Sequence, residues 1–210
     1  MKKSKLARLL AAVCCFAMLL TACSSPAPSG SESTPPSSSE PETEEKVLTF
    51  AIGAETTTLS TLYMNNSLCC TSMLVYENLV DFDNGEIVPG LAESWEYNDD
   101  QTELTFHLRQ GVTFHNGEPF NAEAVKTNLE HKQSNPSFYT LKGITDITEM
   151  EIVDDYTITL HYDHPFYAYL QDFCWSDVCP MSAPEFIIPG DFQTISGVAG
   201  TGPYIHDEYV

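Results

Sequence analysis

The hydrophobic and polar positions of this chain fall into three regimes. Residues 9–20 form an apolar run with no charged side chain, preceded by Lys2, Lys3, Lys5 and Arg8. Residues 24–46 are almost entirely Ser, Pro, Thr and Glu, with no apolar residue larger than Ala27. From Val47 onward, short apolar segments alternate with turn signals, as they do in a folded domain. The chain therefore reads as a signal over residues 1–22, a tether over 23–46 and a folded part over 47–210.

Within the folded part the pattern predicts mixed elements. Residues 47–53 read as a short buried strand. Asn65 and Asn66 can cap a helix running to about residue 79, with Leu68, Val75 and Leu79 on one face. Asp83, Asn84 and Gly85 signal a turn, as do Pro89 and Gly90. Residues 91–97 and 103–109 predict a hairpin turning at Asp99 and Asp100. In its second strand Leu104, Phe106 and Leu108 alternate with Thr105, His107 and Arg109. After a turn at Asn116 and Gly117, Asn121 caps a helix to about His131, with Glu123 near its positive end. Residues 148–153 and 156–162 predict a second hairpin around Asp154 and Asp155, with Tyr156, Ile158, Leu160 and Tyr162 sharing a face. Pro165 is expected to start a helix to Phe173, and Pro184 a shorter one. Gly200, Thr201, Gly202, Pro203 and Tyr204 form a glycine-rich bend leading into a last strand. Hairpins mixed with helices predict α/β or α+β architecture.

Charge narrows the function. Lysine and arginine total 9 against 30 acidic residues, a formal charge of −21. Beyond Lys46 only Arg109, Lys126, Lys132 and Lys142 are basic. Such a surface repels phosphate backbones, which excludes nucleic acid as a partner, and it also repels anionic lipid headgroups. Membrane attachment must come from elsewhere, and the N-terminus supplies it. A basic stretch, an apolar run too short to span a bilayer and then small residues are the layout of a secretory signal. Leu20, Thr21, Ala22 and Cys23 resemble the bacterial lipobox, which implies lipidation of Cys23 and anchoring on the extracytoplasmic face of the cell membrane by several acyl chains. The Ser/Pro/Glu tether cannot bury enough surface to offset its chain entropy, so it is expected to be a disordered, extended stalk.

Cys14 and Cys15 leave with the signal. Cys69, Cys70, Cys174 and Cys179 remain in a compartment that permits disulfides. Free or buried thiols, one or two disulfides, and a thiolate metal site all stay open, although the spacing of zinc ribbons is absent. No nucleophile elbow, His-Glu-x-x-His pair or phosphate loop is present, so an enzyme is not expected. No cofactor and no metal site are expected either. His161 and His164 flank Asp163, but His161 alternates outward on a strand, as a surface histidine does.

The run from Val88 to Trp95 (Val-Pro-Gly-Leu-Ala-Glu-Ser-Trp) is followed by Leu104 to Arg109 (Leu-Thr-Phe-His-Leu-Arg). Next come residues 111–119 (Gly-Val-Thr-Phe-His-Asn-Gly-Glu-Pro) and 121–125 (Asn-Ala-Glu-Ala-Val). With Val75 to Val80, Asp154 to Ile158 and Gly200 to Tyr204, these motifs closely resemble the extracytoplasmic solute-binding proteins of ABC importers, peptide/nickel (family 5) type. The resemblance covers about residues 47–209. It implies an α/β, type II periplasmic-binding-protein-like two-lobed clamp, of which this chain would hold the N-terminal part. It further implies a monomeric receptor that captures a small solute, most readily a peptide, and hands it to ABC permease subunits. Nickel or a nickel chelator is the alternative ligand. A lipoprotein of the same fold used for sensing or surface interaction is an alternative of another class. In the resembling family the segment before the first long helix meets the ligand; here that is Tyr63, Met64, Asn65 and Asn66. A second contact is implied where the family's chain crosses between lobes, at Cys174, Trp175, Ser176 and Asp177, with Trp175 and Asp177 as candidate ligand residues. Nickel-type members hold their chelator with arginines, whereas the corresponding places here are Phe138 and the Asp177 loop. Trp95 is expected to pack under the hairpin and Arg109 to pair with an acid of the same layer.

Replacing Cys23 by Ser should release the mature protein from membranes into a soluble fraction. Retention of the variant through membrane washing would contradict the lipobox reading.

Overall fold

Alternating apolar residues on two hairpins build the sheet on which everything else rests. The computed structural model describes residues 69–165, 167–174, 180–190 and 197–207, together with residues 47, 49, 51 and 59. The chain divides into two units, residues 1–49 and 50–210. Of the first, only Val47 and Thr49 are described, and both are exposed. Residues 47, 49 and 51 are exposed and outside any strand, contrary to the buried strand expected over 47–53. A strand needs a hydrogen-bonded neighbour, and none pairs with them among the described residues.

In the second unit the order is α1 (Cys69–Val75), β1 (Val80–Asp83), β2 (Glu86–Pro89), β3 (Ala92–Tyr97), β4 (Glu103–Leu108), α2 (Ala122–Ser134), α3 (Lys142–Thr145), β5 (Ile147–Asp154), β6 (Thr157–Tyr162) and α4 (Tyr169–Asp172). Single 3-10 turns cover Pro136–Phe138 and Pro184–Phe186. Strands β3 and β4 form the first expected hairpin, and β5 and β6 the second. They join antiparallel in the order β3-β4-β6-β5.

The register places two apolar rows on one face. Tyr97 lies opposite Leu104, which faces Leu160, which faces Met150; in the next row Trp95, Phe106, Ile158 and Ile152 follow the same path. Helices cover this face with Val125 and Leu129 of α2, Ile144 of α3 and Tyr169 of α4, all fully buried. The Phe106 ring meets Phe173 edge-on at 5.2 Å, and Tyr169 stacks on Tyr162 at 3.9 Å. The opposite face is polar. Thr105 and Thr159 share a hydroxyl bond of 2.9 Å, and His161 lies 3.7 Å from Glu103 and 3.4 Å from Glu151. His161 is thus the surface histidine that strand alternation predicts.

Local chemistry accounts for the boundaries. Asn121 caps α2 by accepting the Ala124 N–H at 2.9 Å, as the sequence predicts, and the helix continues three residues past His131. Asn84 and Gly85 at positive φ make the tight turn between β1 and β2, the conformation a two-residue hairpin requires. Three expectations are corrected. The first helix stops at Val75 rather than near residue 79. Carbonyls that would continue it are taken from outside: Leu74 and Val75 accept from Tyr204 and Gly202, Glu77 from Met181, and Leu79 from Gly90 and Ala92. The helix from Pro165 shrinks to the single turn α4, because the Leu170 N–H goes to the Tyr97 hydroxyl at 3.2 Å. The last strand does not form over residues 205–207, the described part of the segment after the glycine-rich bend. Trp95 is half-buried against the core as expected. Arg109 instead lies exposed past the last paired residue of β4 and makes no ion pair among the described residues.

Removing the Phe106 ring should cost ~3–5 kcal/mol, as aromatic core truncations do. Val153→Ala, at an exposed site on β5, should stay within about 0.5 kcal/mol. Denaturant unfolding of the full chain checks this, and equal costs at the two sites would contradict the placement of the core.

Candidate functional site

Where the interrupted helix hands over to β1, the chain leaves its backbone engaged with distant segments and its side chains around a cavity of about 440 Å³. That size suits a small solute. Its apolar walls are Met73, Tyr76, Phe82 and Pro203, and its polar lining is Glu77, Asn78, Asp81 and Cys174.

Three segments far apart in sequence converge here, and glycine makes the convergence possible. A Cβ on Gly200 would collide with the Val75 carbonyl, and one on Gly202 would stand 2.7 Å from the Val75 carbonyl carbon. The bare backbone therefore lies against the end of α1, with Gly202 N–H bonded to the Val75 carbonyl at 2.9 Å and Tyr204 N–H to that of Leu74 at 3.0 Å. The loop after β4 clamps the other side of the bend. His115 N–H donates to the Gly200 carbonyl at 2.9 Å, and its Nε2 is 2.8 Å from the Gly202 carbonyl, which makes that nitrogen the donor. Pro203 is carried to the cavity by this arrangement. The Cys174 side arrives through α4, whose Asp172 carboxylate accepts the Gly143 N–H at 2.7 Å.

The polar lining is acceptor-rich. Asn78 is 4% exposed. It donates Nδ2–H to Asp81 Oδ1 at 3.0 Å, while its own buried Oδ1 meets no donor among the described residues. The Tyr76 hydroxyl donates to the Leu59 carbonyl at 3.0 Å, and burial pushes its pKa up. Cys174 is a free thiol whose Sγ–H approaches the Leu170 carbonyl at 3.6 Å. Burial first, then the negative charges of Asp81 and Asp172, push its pKa up to about 11. Burial also lifts the Asp172 carboxyl above the usual carboxylate range, with Gly143 N–H pulling it back and Asp146 adding to the rise. Chemically the site offers carboxylates, an amide oxygen, an aromatic face and a thioether.

The residues singled out from sequence, Tyr63, Met64, Asn65, Asn66, Trp175 and Asp177, lie outside the described residues, as does Cys23. The described end of the second candidate loop, Cys174, does line the cavity. Sequence reasoning missed Glu77, Asn78 and Asp81 as site residues. Their signal was the Tyr-Glu-Asn-Leu-Val motif of residues 76–80, which was read only as a family mark.

Residues 86–210 match the model of the bacterial extracellular solute-binding proteins, family 5. The chain is 33% identical over 156 residues to the nickel-binding periplasmic protein of Escherichia coli, covering 70% of this chain and 28% of that one. It is 33% identical over 161 residues to the glutathione-binding protein GsiB of Pectobacterium atrosepticum, covering 74% and 30% respectively. Among solved structures, NikA from Brucella suis in complex with Fe(III)-EDTA superposes with a TM-score of 0.67 at 32% identity, over 72% of this chain and 31% of that one. The chain thus spans about a third of the length of the proteins it matches. The α/β fold is that of the N-terminal part of the type II periplasmic binding proteins. With more than half of its residues under one family model, the chain belongs to the bacterial extracellular solute-binding proteins of family 5.

Proposed function

We propose that this protein is a lipid-anchored extracytoplasmic receptor that captures a small solute, a peptide, and delivers it to the permease subunits of an ABC transporter. The observation that carries the reading is family membership over residues 86–210, joined to a solute-sized cavity at the convergence of three of the chain's motifs. Cys23 would hold the lipid, the tether would keep the domain clear of the headgroups, and the receptor would act as a monomer. Tyr63, Met64, Asn65, Asn66, Trp175 and Asp177 are proposed as further ligand contacts. A glutathione-binding relative at 33% identity supports a peptide, since glutathione is itself a tripeptide. Lobes that close over a ligand remove it from water and present a transporter with one recognisable shape.

A second reading is favoured by one observation, the equal identity to a nickel-binding protein. The two readings differ in the ligand chemistry they need. A nickel chelate with free carboxylates needs cations around it, whereas the acceptors lining the described cavity suit donors.

Calorimetric titration of the full chain separates them. A neutral dipeptide such as alanyl-alanine should give saturable heat, and nickel or its histidine chelate should give none. Saturation by the nickel species alone would overturn the peptide reading.

A further inference from the structure

Among the described residues, every formal charge lining the cavity is negative: Glu77 and Asp81 line it, with no lysine, arginine or histidine beside them. The four basic side chains beyond Lys46 are placed elsewhere. Lys126 is 3.9 Å from Glu130 and Lys142 is 3.2 Å from Asp146; Lys132 is fully buried on α2 and Arg109 is exposed past β4.

Three independent features describe what would fill such a space. Asn78 lines the cavity beside both carboxylates; it is nearly inaccessible, and its Oδ1 meets no donor among the described residues. Phe82 and Met73 border the cavity at 61% and 57% exposure. A bare metal ion would leave both in water, whereas an organic body would cover them. Burial first, and then the negative charges of Asp81 and Asp172, keep the Cys174 thiol from ionising. An anion would meet the same opposition, with no cation to offset its desolvation.

We propose that this cavity is a subsite for the cationic end of the solute: an ammonium or guanidinium on an apolar body, with Glu77 and Asp81 as its counter-charges. The proposal rests on the solute-receptor reading and names the class of solute group received at this site. The aromatic rings of Phe82 and Tyr76 add cation–π attraction to the carboxylate contacts. Among the described residues neither carboxylate forms an ion pair. Asp81 accepts a hydrogen bond from Asn78, a role that an asparagine oxygen can also fill.

Cys174 supplies a probe already in place. In the full chain with Cys179→Ser, its rate of modification by a cationic thiosulfonate (trimethylammonium-ethyl) is compared with that by an anionic one (sulfonato-ethyl). Both rates are normalised to a free model thiol and resolved by peptide mass mapping. The cationic reagent should be favoured by about tenfold or more, as charged clefts favour their counter-ions. Glu77→Gln with Asp81→Asn should bring the ratio close to one while the circular dichroism spectrum is unchanged. Glu77→Gln alone, which removes no side-chain hydrogen bond among the described residues, should lower the ratio part of the way. Equal or inverted normalised rates in the starting chain would overturn the proposal, as would a cationic preference that survives both substitutions.

Titration with lysyl-alanine and alanyl-alanine then separates this proposal from the reading beneath it. Tighter binding of lysyl-alanine that disappears in the double variant supports both. A cationic preference at Cys174 with no binding of either peptide would leave the anionic cavity standing and overturn the peptide-receptor reading. Peptide binding that the double variant leaves unchanged would overturn the assignment of the subsite to a solute cation, since alanyl-alanine also carries an N-terminal ammonium.

Discussion

Two backbone hydrogen bonds decide much of this structure: Gly202 N–H to the Val75 carbonyl and Tyr204 N–H to the Leu74 carbonyl. They join the last described segment to the end of α1. They exist because Gly200 and Gly202 carry no Cβ where one would strike the backbone of residues 74–75. Once these carbonyls are engaged from outside, α1 cannot propagate, and the chain turns directly into β1. The same crossing seats His115 against the Gly202 carbonyl and carries Pro203 to the cavity. A helix end, a loop, a glycine bend and a candidate binding surface are therefore consequences of one close approach.

What could be read in the sequence follows from how local its causes are. The two hairpins, their shared apolar face and the Asn121 cap depend on neighbours within a few residues, and alternation or capping chemistry exposes them directly. The end of α1 depends on partners more than a hundred residues away, so the apolar periodicity through Leu79 overran it. At α4 the partner is 73 residues away, where a hydroxyl from Tyr97 replaces the expected helical acceptor. Strands β1 and β2 escaped because each has four residues, too few to show a period, although the Asn84–Gly85 turn between them was visible. The cavity was legible only as motif. Glu77, Asn78 and Asp81 sit in a segment recognised for its family likeness, but sequence alone did not bring Cys174 or Pro203 to them.

The polar face of the sheet and the cavity use charge differently. On the sheet, His161 stands between Glu103 and Glu151 in partly exposed pairs, where solvent keeps such contacts weak. In the cavity, among the described residues, Glu77 and Asp81 have no cation beside them in the lining, and an amide oxygen next to them lacks a donor. An uncompensated arrangement of this kind gains most from a ligand that brings its own positive charge.

A crystal structure of the full chain with bound lysyl-alanine tests this account most directly. The account predicts an ammonium nitrogen of the peptide at hydrogen-bond distance, about 2.7–3.2 Å, from the carboxylate of Glu77 or Asp81, with the alkyl chain against Phe82. A peptide seated with its carboxylate in this cavity, or bound without touching it, would contradict the account.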